Sequence, residues 1–358
     1  MNMNGKRKEP DSKGRPESQG GPQAPLVGNS GTGAQYGPGH PEASSQPSAG
    51  RRHTTRKWIL IWAAFLVVLV AGDRVGALLL DAMVLRSEIR FSRLYRGGMN
   101  ADILVLGDSR GAGSFLAPLI EKLTGLQCLN LSHNAMSTEL MEALLNDYLE
   151  HNRPPRLLLM EATNLNSASR GPVQGLRMYL RYSKRLTDLA WTYDERNVIA
   201  SKISALYTFN SDMLLRALYY RDKSDQAWVN AATIQPSLVQ QAASGPLARL
   251  PVPIPENVRA MKRILETARE MNIAVRVVVA PYLPEHRAKL ENLQQWIAGV
   301  ELMVGDGAQV FDFSAAVPDS TGFADRVHVN AGGAATFTTA LFNQGVLTPP
   351  PPAPPSGK

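Results

Sequence analysis

Read for its hydrophobic and polar positions, the chain divides into a long polar stretch, one uninterrupted apolar run, and then short apolar runs alternating with longer amphipathic ones. Five of the short runs have the length of buried parallel strands and are bounded by turn residues or helical patterns: Asp102–Leu106, Gln127–Leu131, Arg156–Met160, Ala274–Ala280 and Gln309–Phe313. Helical periodicity occupies Ala117–Thr124, Thr138–Glu150, Glu256–Met271 and Glu285–Val304, and a small-residue helix is expected from Ala331 to Phe342. Strand and helix in alternation predict an α/β fold: a three-layer, doubly wound, flavodoxin-like arrangement with five parallel strands and helices on both faces. The interval between the third and fourth runs, about 113 residues, is far longer than a crossover needs. Residues 165–250 are therefore expected to form a largely helical insertion or cap within a domain spanning 101–347.

The uninterrupted run, Trp58 to Gly72, contains fifteen residues. As a helix it would span about 22 Å, against a hydrocarbon core of roughly 30 Å. Continuing through Asp73 and Arg74 to Leu80 supplies the missing length, with the two charges at the far interface, where they pair or snorkel, and Trp58 and Trp62 at the near one. A cleaved signal peptide is the competing reading, since fifteen apolar residues also fit its hydrophobic region. The long polar leader, and the absence of any Met between Met3 and Met83, favour an anchor. Arg51, Arg52, Arg56 and Lys57 immediately before the run place the N-terminus in the cytoplasm by the positive-inside bias. The expected organisation is a disordered basic cytoplasmic tail (1–57), a transmembrane anchor (58–80), a polar, helical neck (81–100), and the α/β domain outside the cytoplasm, at a bacterial inner membrane in the periplasm. Residues 348–358 are a Pro-rich extended tail.

Composition narrows the functional classes. Of the formal charge of +7, the first 57 residues carry +5, with nine Lys and Arg against four acids. The remaining chain is close to neutral, so no nucleic-acid footprint is expected there. Cys128, the single cysteine, lies in an apolar run, excludes an intrachain disulfide and reads as a small core residue. No His, Cys and carboxylate group has metal-ligand spacing, and no phosphate-binding glycine loop follows a strand, so neither a metal nor a cofactor is expected.

Two segments carry candidate chemistry. The first predicted strand runs into Gly107-Asp108-Ser109-Arg110 and a helix, which places Ser109 at the carboxyl edge of the sheet, where open α/β sheets bind ligands. After the fifth strand comes Asp325-Arg326-Val327-His328. A nucleophilic serine needs a base for its proton and a carboxylate to fix the tautomer of that base, and an i, i+3 pair on one turn can supply both. Ser109, Asp325 and His328 are thus the candidate catalytic residues. Asp108 reads as a turn and helix-start residue and His133 as a polar neighbour at a strand end.

Together these two segments, in the order Ser, Asp, His, resemble the SGNH hydrolases, also called the GDSL family. Its first block matches Gly107-Asp108-Ser109, and its last, D-x-x-H, matches Asp325 and His328. The resemblance spans roughly residues 101–345 and implies acyl-ester chemistry through an acyl-enzyme. The family's two middle blocks supply an oxyanion hole. Here they are altered: Ala135 stands where a glycine N–H is expected, and Asn164 matches the asparagine of G-x-N-D while Ala162 and Leu165 replace its glycine and aspartate. The implied hole is the N–H groups of Ser109 and Ala135 with the side-chain amide of Asn164. Membrane-anchored members resembling this chain imply an O-acetyl esterase or O-acetyltransferase acting on a carbohydrate polymer in cell-surface or exopolysaccharide modification, with a polysaccharide biosynthesis or export complex as partner. A lipid-directed esterase and a non-catalytic glycan- or partner-binding domain are the other readings. Arg170, Arg177, Arg181 and Arg185, with Tyr179, Tyr182, Trp191 and Tyr193, could line a sugar groove or form a helix docked on the core.

Overall fold

The computed structural model describes residues 49–166, 170–209 and 211–350. The tail expected over 1–57 and the one expected over 348–358 lie largely outside them. In chain order the elements are α1 (Ala49–Arg86), α2 (Arg90–Arg96), β1 (Ile103–Leu106), α3 (Ser109–Ser114), α4 (Ala117–Thr124), β2 (Cys128–Asn130), α5 (Thr138–His151) and β3 (Leu157–Glu161). Then follow α6 (Arg170–Gly175), α7 (Lys184–Ile203), α8 (Ser211–Tyr219), α9 (Pro236–Ser244), α10 (Pro255–Glu270), β4 (Ala274–Val279), α11 (Pro284–Arg287), α12 (Leu293–Val304), β5 (Gln309–Asp312) and α13 (Ala331–Asn343). Residues 59–350 belong to one compact unit.

The five strands form a single parallel sheet in the order β2-β1-β3-β4-β5. This is the flavodoxin-like winding, as expected from the alternating pattern. Side chains alternate across it and build two cores. Leu104, Leu106, Leu158, Met160 and Val277 face one side, where α2, α5, α10 and α12 cover them. Ile103, Val105, Leu157, Leu159 and Val278 face the other, against Phe115, Ile120, Phe323, Phe337 and Leu341. Both faces of β1 and β3 are completely buried, which is why these strands read as continuous apolar runs without alternation. Each such leucine contributes about 2 kcal/mol of burial. Cys128 lies in the second core, where burial pushes its thiol far above the ordinary range.

Three boundaries differ from the sequence expectation. Helix α1 begins at Ala49, before the apolar run, so residues 49–57 are helical and not an unstructured leader. The neck is not a polar stalk. After a break at Ser87–Ile89, α2 buries Phe91, Leu94 and Tyr95 in the first core, and Arg90 is buried in an ion pair with Asp225 at 3.0 Å. The helix expected over Glu285–Val304 is two helices, α11 and α12, separated where Leu250 and Asn292 exchange backbone–side-chain hydrogen bonds (2.7 and 2.9 Å). Apolar periodicity does not register that exchange.

Between β3 and β4 lie α6 to α10. Tyr95, Tyr179 and Tyr182 form a stack, with centroids 5.5 and 5.9 Å apart, and Tyr193 donates to Glu139 of α5. Arg185 pairs with Asp147 and Glu150 of the same helix. The tyrosines and Arg185 in this basic, aromatic stretch therefore dock it on the core.

Candidate active site

The winding reverses direction between β1 and β3, and the carboxyl ends of these strands flank the crevice that the reversal opens. Ser109 stands there as the first residue of α3. Asp108 precedes it and accepts the Arg110 N–H at 2.8 Å, closing the turn. Tight packing sets the identity of two neighbours. A Cβ at Gly107 would come within 2.8 Å of the Gly111 backbone and 2.9 Å of Glu161, and one at Gly111 would come within 2.7 Å of the Ser132 hydroxyl. Only glycine lets the nucleophile turn settle against the sheet edge.

From the other side, the segment after β5 folds back on itself. Phe323 and Val329 form an antiparallel bridge, Ala324 N–H donates to the His328 carbonyl at 2.9 Å, and Asn330 caps α13 by accepting the Gly332 and Gly333 N–H groups. The result brings His328 to Ser109: Nε2 lies 2.8 Å from Oγ. On the opposite ring edge, Nδ1 lies 2.7 Å from Asp325 Oδ2. Asp325 Oδ1 accepts the backbone N–H groups of Val327 and His328, both at 2.9 Å. Desolvation works against the Asp325 charge, but these hydrogen bonds outweigh it and hold the carboxyl below its usual range. With Nδ1–H donating to Asp325, the Nε2 lone pair faces the serine hydroxyl, the tautomer a general base requires. The three candidate catalytic residues, 219 positions apart at their extremes, form one continuous hydrogen-bonded chain.

The middle blocks behave differently from each other. Ala135 has φ of +56°, in the left-handed region where glycine is at ease and alanine is strained. It is exposed, and its N–H donates to no backbone carbonyl among the described residues. Asn164 is fully buried. Its amide nitrogen points at the Met141 sulfur and its Oδ1 accepts from Thr138 Oγ1 at 3.1 Å. The side chain thus faces the protein interior, contrary to the expectation that it presents a donor to the crevice. Thr163 is likewise turned inward, donating from both N and Oγ1 to Glu161 (2.9 and 2.6 Å).

Beneath the serine lies a charged group that the sequence reading missed. Arg110 is buried, donates to the Ala280 and Pro281 carbonyls at 2.5 and 3.0 Å, and stacks on the Tyr282 ring with its centroid at 3.9 Å. Its Nη1 lies 3.4 Å from Oε1 of the fully buried Glu161. The pair ties the turn after β1 to the ends of β3 and β4. The available signal was Glu161 itself, a carboxylate closing an otherwise apolar strand. His133 forms no hydrogen bond with the triad. It packs against Phe91, contacts the Asn134 carbonyl, and burial lowers its affinity for a proton.

One helical turn from Ser109 a cleft of about 660 Å³ opens, lined by Ala112, His133, Asn134, Arg216, Tyr219 and Trp228 among others. Tyr219 and Trp228 are more than half exposed, and Lys223 Nζ sits 3.3 Å from the Tyr219 ring centroid. A larger cleft, about 850 Å³, lies around Ile273–Arg276 and Gln309, at the amino edge of β4 and β5 and so at the opposite end of the sheet from Ser109. No group of three or more His, Cys, Asp or Glu that could hold a metal occurs among the described residues.

No known protein-family profile matches the chain, and no curated protein matches it in sequence. Among solved structures the chain is similar to a Streptococcus pneumonia protein provisionally described as a platelet activating factor, at 11% identity over 80% of this chain and 98% of that one. The TM-score is 0.39, too low for that likeness to bear on activity.

Proposed function

We propose that the chain is a membrane-anchored serine acyl-ester enzyme of SGNH type whose substrate is an O-acylated glycan outside the cytoplasm. The observation that carries the proposal is the hydrogen-bonded sequence Ser109–His328–Asp325 at the carboxyl edge of the sheet. In this reading Ser109 Oγ attacks the acyl carbonyl while His328 Nε2 takes its proton, and Asp325 stabilises the imidazolium that results. The developing oxyanion is received by the backbone N–H groups of Ser109 and Ala135. His328 then returns the proton to the departing alkoxide, leaving an acyl-serine and a free alcohol. Water, or a sugar hydroxyl in an O-acetyltransferase, enters through the same base and releases Ser109.

Support for a carbohydrate comes from the cleft beside Ser109, where Tyr219 and Trp228 offer exposed ring faces and Arg216 and Asn134 offer donors. Such surfaces match the apolar faces and hydroxyl edges of sugars. A polysaccharide biosynthesis or export complex would deliver the polymer. A lipid-directed esterase is the second reading, favoured by Leu215 and Leu218, both more than half exposed on α8. For topology, α1 carries an apolar window that is 6% buried, long enough to cross a bilayer, preceded by the basic cluster Arg51, Arg52, Arg56 and Lys57.

The test is acetyl release from p-nitrophenyl acetate and from an acetylated oligosaccharide by the full chain in detergent. Turnover lost in Ser109→Ala and His328→Ala, with short acyl chains preferred over long ones, is the expected result. Long-chain preference selects the lipid reading. Absence of turnover together with no labelling of Ser109 by a fluorophosphonate would replace the enzyme by a binding domain.

A further inference from the structure

The apolar run Trp58–Gly72 is about 8 Å short of a hydrocarbon core, and the chain immediately beyond it is not free. The Asp73 carboxylate accepts from Ser204 Oγ (2.5 Å), Ala205 N–H (2.7 Å) and Leu206 N–H (3.1 Å). Arg74 donates to the Lys202 and Ile203 carbonyls at 3.2 and 3.4 Å, at the end of α7. One turn further on, Gly76 leaves room for Leu206, whose Cδ2 would lie 3.3 Å from a Cβ at that position. Thus the two charges that interrupt the apolar run are matched by the C-terminal end of α7 and the turn after it. On its remaining surface α1 stays apolar and exposed, at Val75, Leu78 and Leu79 (56, 55 and 68%).

We infer that the end of α7 and the turn after it are seated in the outer leaflet beside α1, with Ile199, Ile203, Leu206 and Tyr207 as the side chains that enter the lipid. The inference rests on the reading of α1 as a membrane span. If the bilayer covers α1 from Trp58 to Leu79, the helix covers about 33 Å, enough to cross. Asp73 to Gly76 then lie inside the bilayer boundary, and the residues hydrogen-bonded to them lie at the same depth. Those residues carry the matching surface. Ile203 is 78% exposed, Ile199 45%, Tyr207 43% and Leu206 37%. Beside them Lys202 stacks on Trp191 with Nζ 4.5 Å from the ring centroid, the aromatic and cationic pairing suited to the headgroup layer. A soluble surface has no use for this cluster at the foot of a membrane helix, whereas lipid acyl chains cover it directly. Depth is set by protein–protein hydrogen bonds to Asp73, so the domain is held at a fixed height and does not swing on a flexible stalk.

The experiment is site-directed spin labelling of the full chain in phosphatidylcholine–phosphatidylglycerol vesicles. Single nitroxides are placed at Ile203→Cys, at Leu66→Cys inside the apolar run, and at Glu301→Cys on the exposed face of α12; Cys128 is buried and does not compete for label. Collision with oxygen relative to a water-soluble nickel chelate reports depth. Expected is a ratio at 203 severalfold above that at 301 and approaching that at 66, with Ile199→Cys giving the same result independently. A high ratio at 66 with water-like values at both 199 and 203 overturns the seating while leaving the span intact. A water-like ratio at 66 overturns the span, and the seating with it.

Discussion

Asp325 holds His328 twice, by the ring through Oδ2 at 2.7 Å and by the main chain through Oδ1 at 2.9 Å. Because the residues are three apart on one turn, the carboxylate that orients the imidazole also shapes the backbone that carries it. The two functions are separable. Asn at this position retains an oxygen for the Val327 and His328 N–H groups but presents an amide N–H to the ring, which favours the wrong tautomer. Asp325→Asn is therefore expected to keep the fold, by circular dichroism, and to lower kcat by roughly 10³- to 10⁴-fold. Turnover within about tenfold of the parent would mean that Asp325 only stabilises the turn.

Asn164 makes the opposite case. A side chain that supplied the oxyanion hole would, on removal, lower kcat by roughly 10²- to 10³-fold with little effect on folding. Buried as it is against Thr138 and Met141, its loss should instead leave the Thr138 hydroxyl without its acceptor. We expect Asn164→Ala to cost about 1–3 kcal/mol in urea unfolding and the folded fraction to retain turnover close to the parent. A large loss of kcat at unchanged stability would return Asn164 to the oxyanion hole.

The contrast shows what pattern can and cannot reveal. Strand positions such as Leu104 and Leu158 lie in strands buried on both faces, so composition alone marks them, and the alternation of strands with helices marks a doubly wound parallel sheet. Ser109 and His328 were legible because each follows a strand, and chain order brings strand ends to one edge. The direction of the Asn164 side chain was not legible, since it depends on which of two faces of a short turn meets Thr138 and Met141. Nor was the Arg110–Glu161 pair: each residue looks like an ordinary surface charge until β1 and β3 are placed side by side. The neck failed for the same reason, because Arg90 and Asp225 conceal in the sequence a contact across 135 residues.

Ala135 stores backbone strain at the point where the resemblance expects glycine. A left-handed alanine costs about 1–2 kcal/mol, partly offset by the smaller entropy it loses on folding. Ala135→Gly should therefore raise stability by about 1 kcal/mol, read as a higher urea midpoint at unchanged slope, with the N–H still available for an oxyanion. A lower midpoint would show that the Ala135 methyl makes packing contacts that outweigh its strain.

Glu161 couples the active-site turn to pH. Complete burial raises its carboxyl to about 7, against the opposing pull of Arg110 and the Thr163 hydrogen bonds. In the unfolded chain the same group ionises near the ordinary value for glutamate, about 4.3. Between those two values the folded state retains a proton that the unfolded state has lost, so stability falls as pH rises through the window and is independent of this group above and below it. The span corresponds to at most about 4 kcal/mol. Glu161→Gln removes the titration, and the variant should lack this part of the slope when urea unfolding is compared at pH 5 and pH 8, so that it gains stability relative to the parent as pH rises. If parent and variant show the same pH dependence, Glu161 remains ionised throughout and the Arg110 guanidinium, not burial, dominates beneath Ser109.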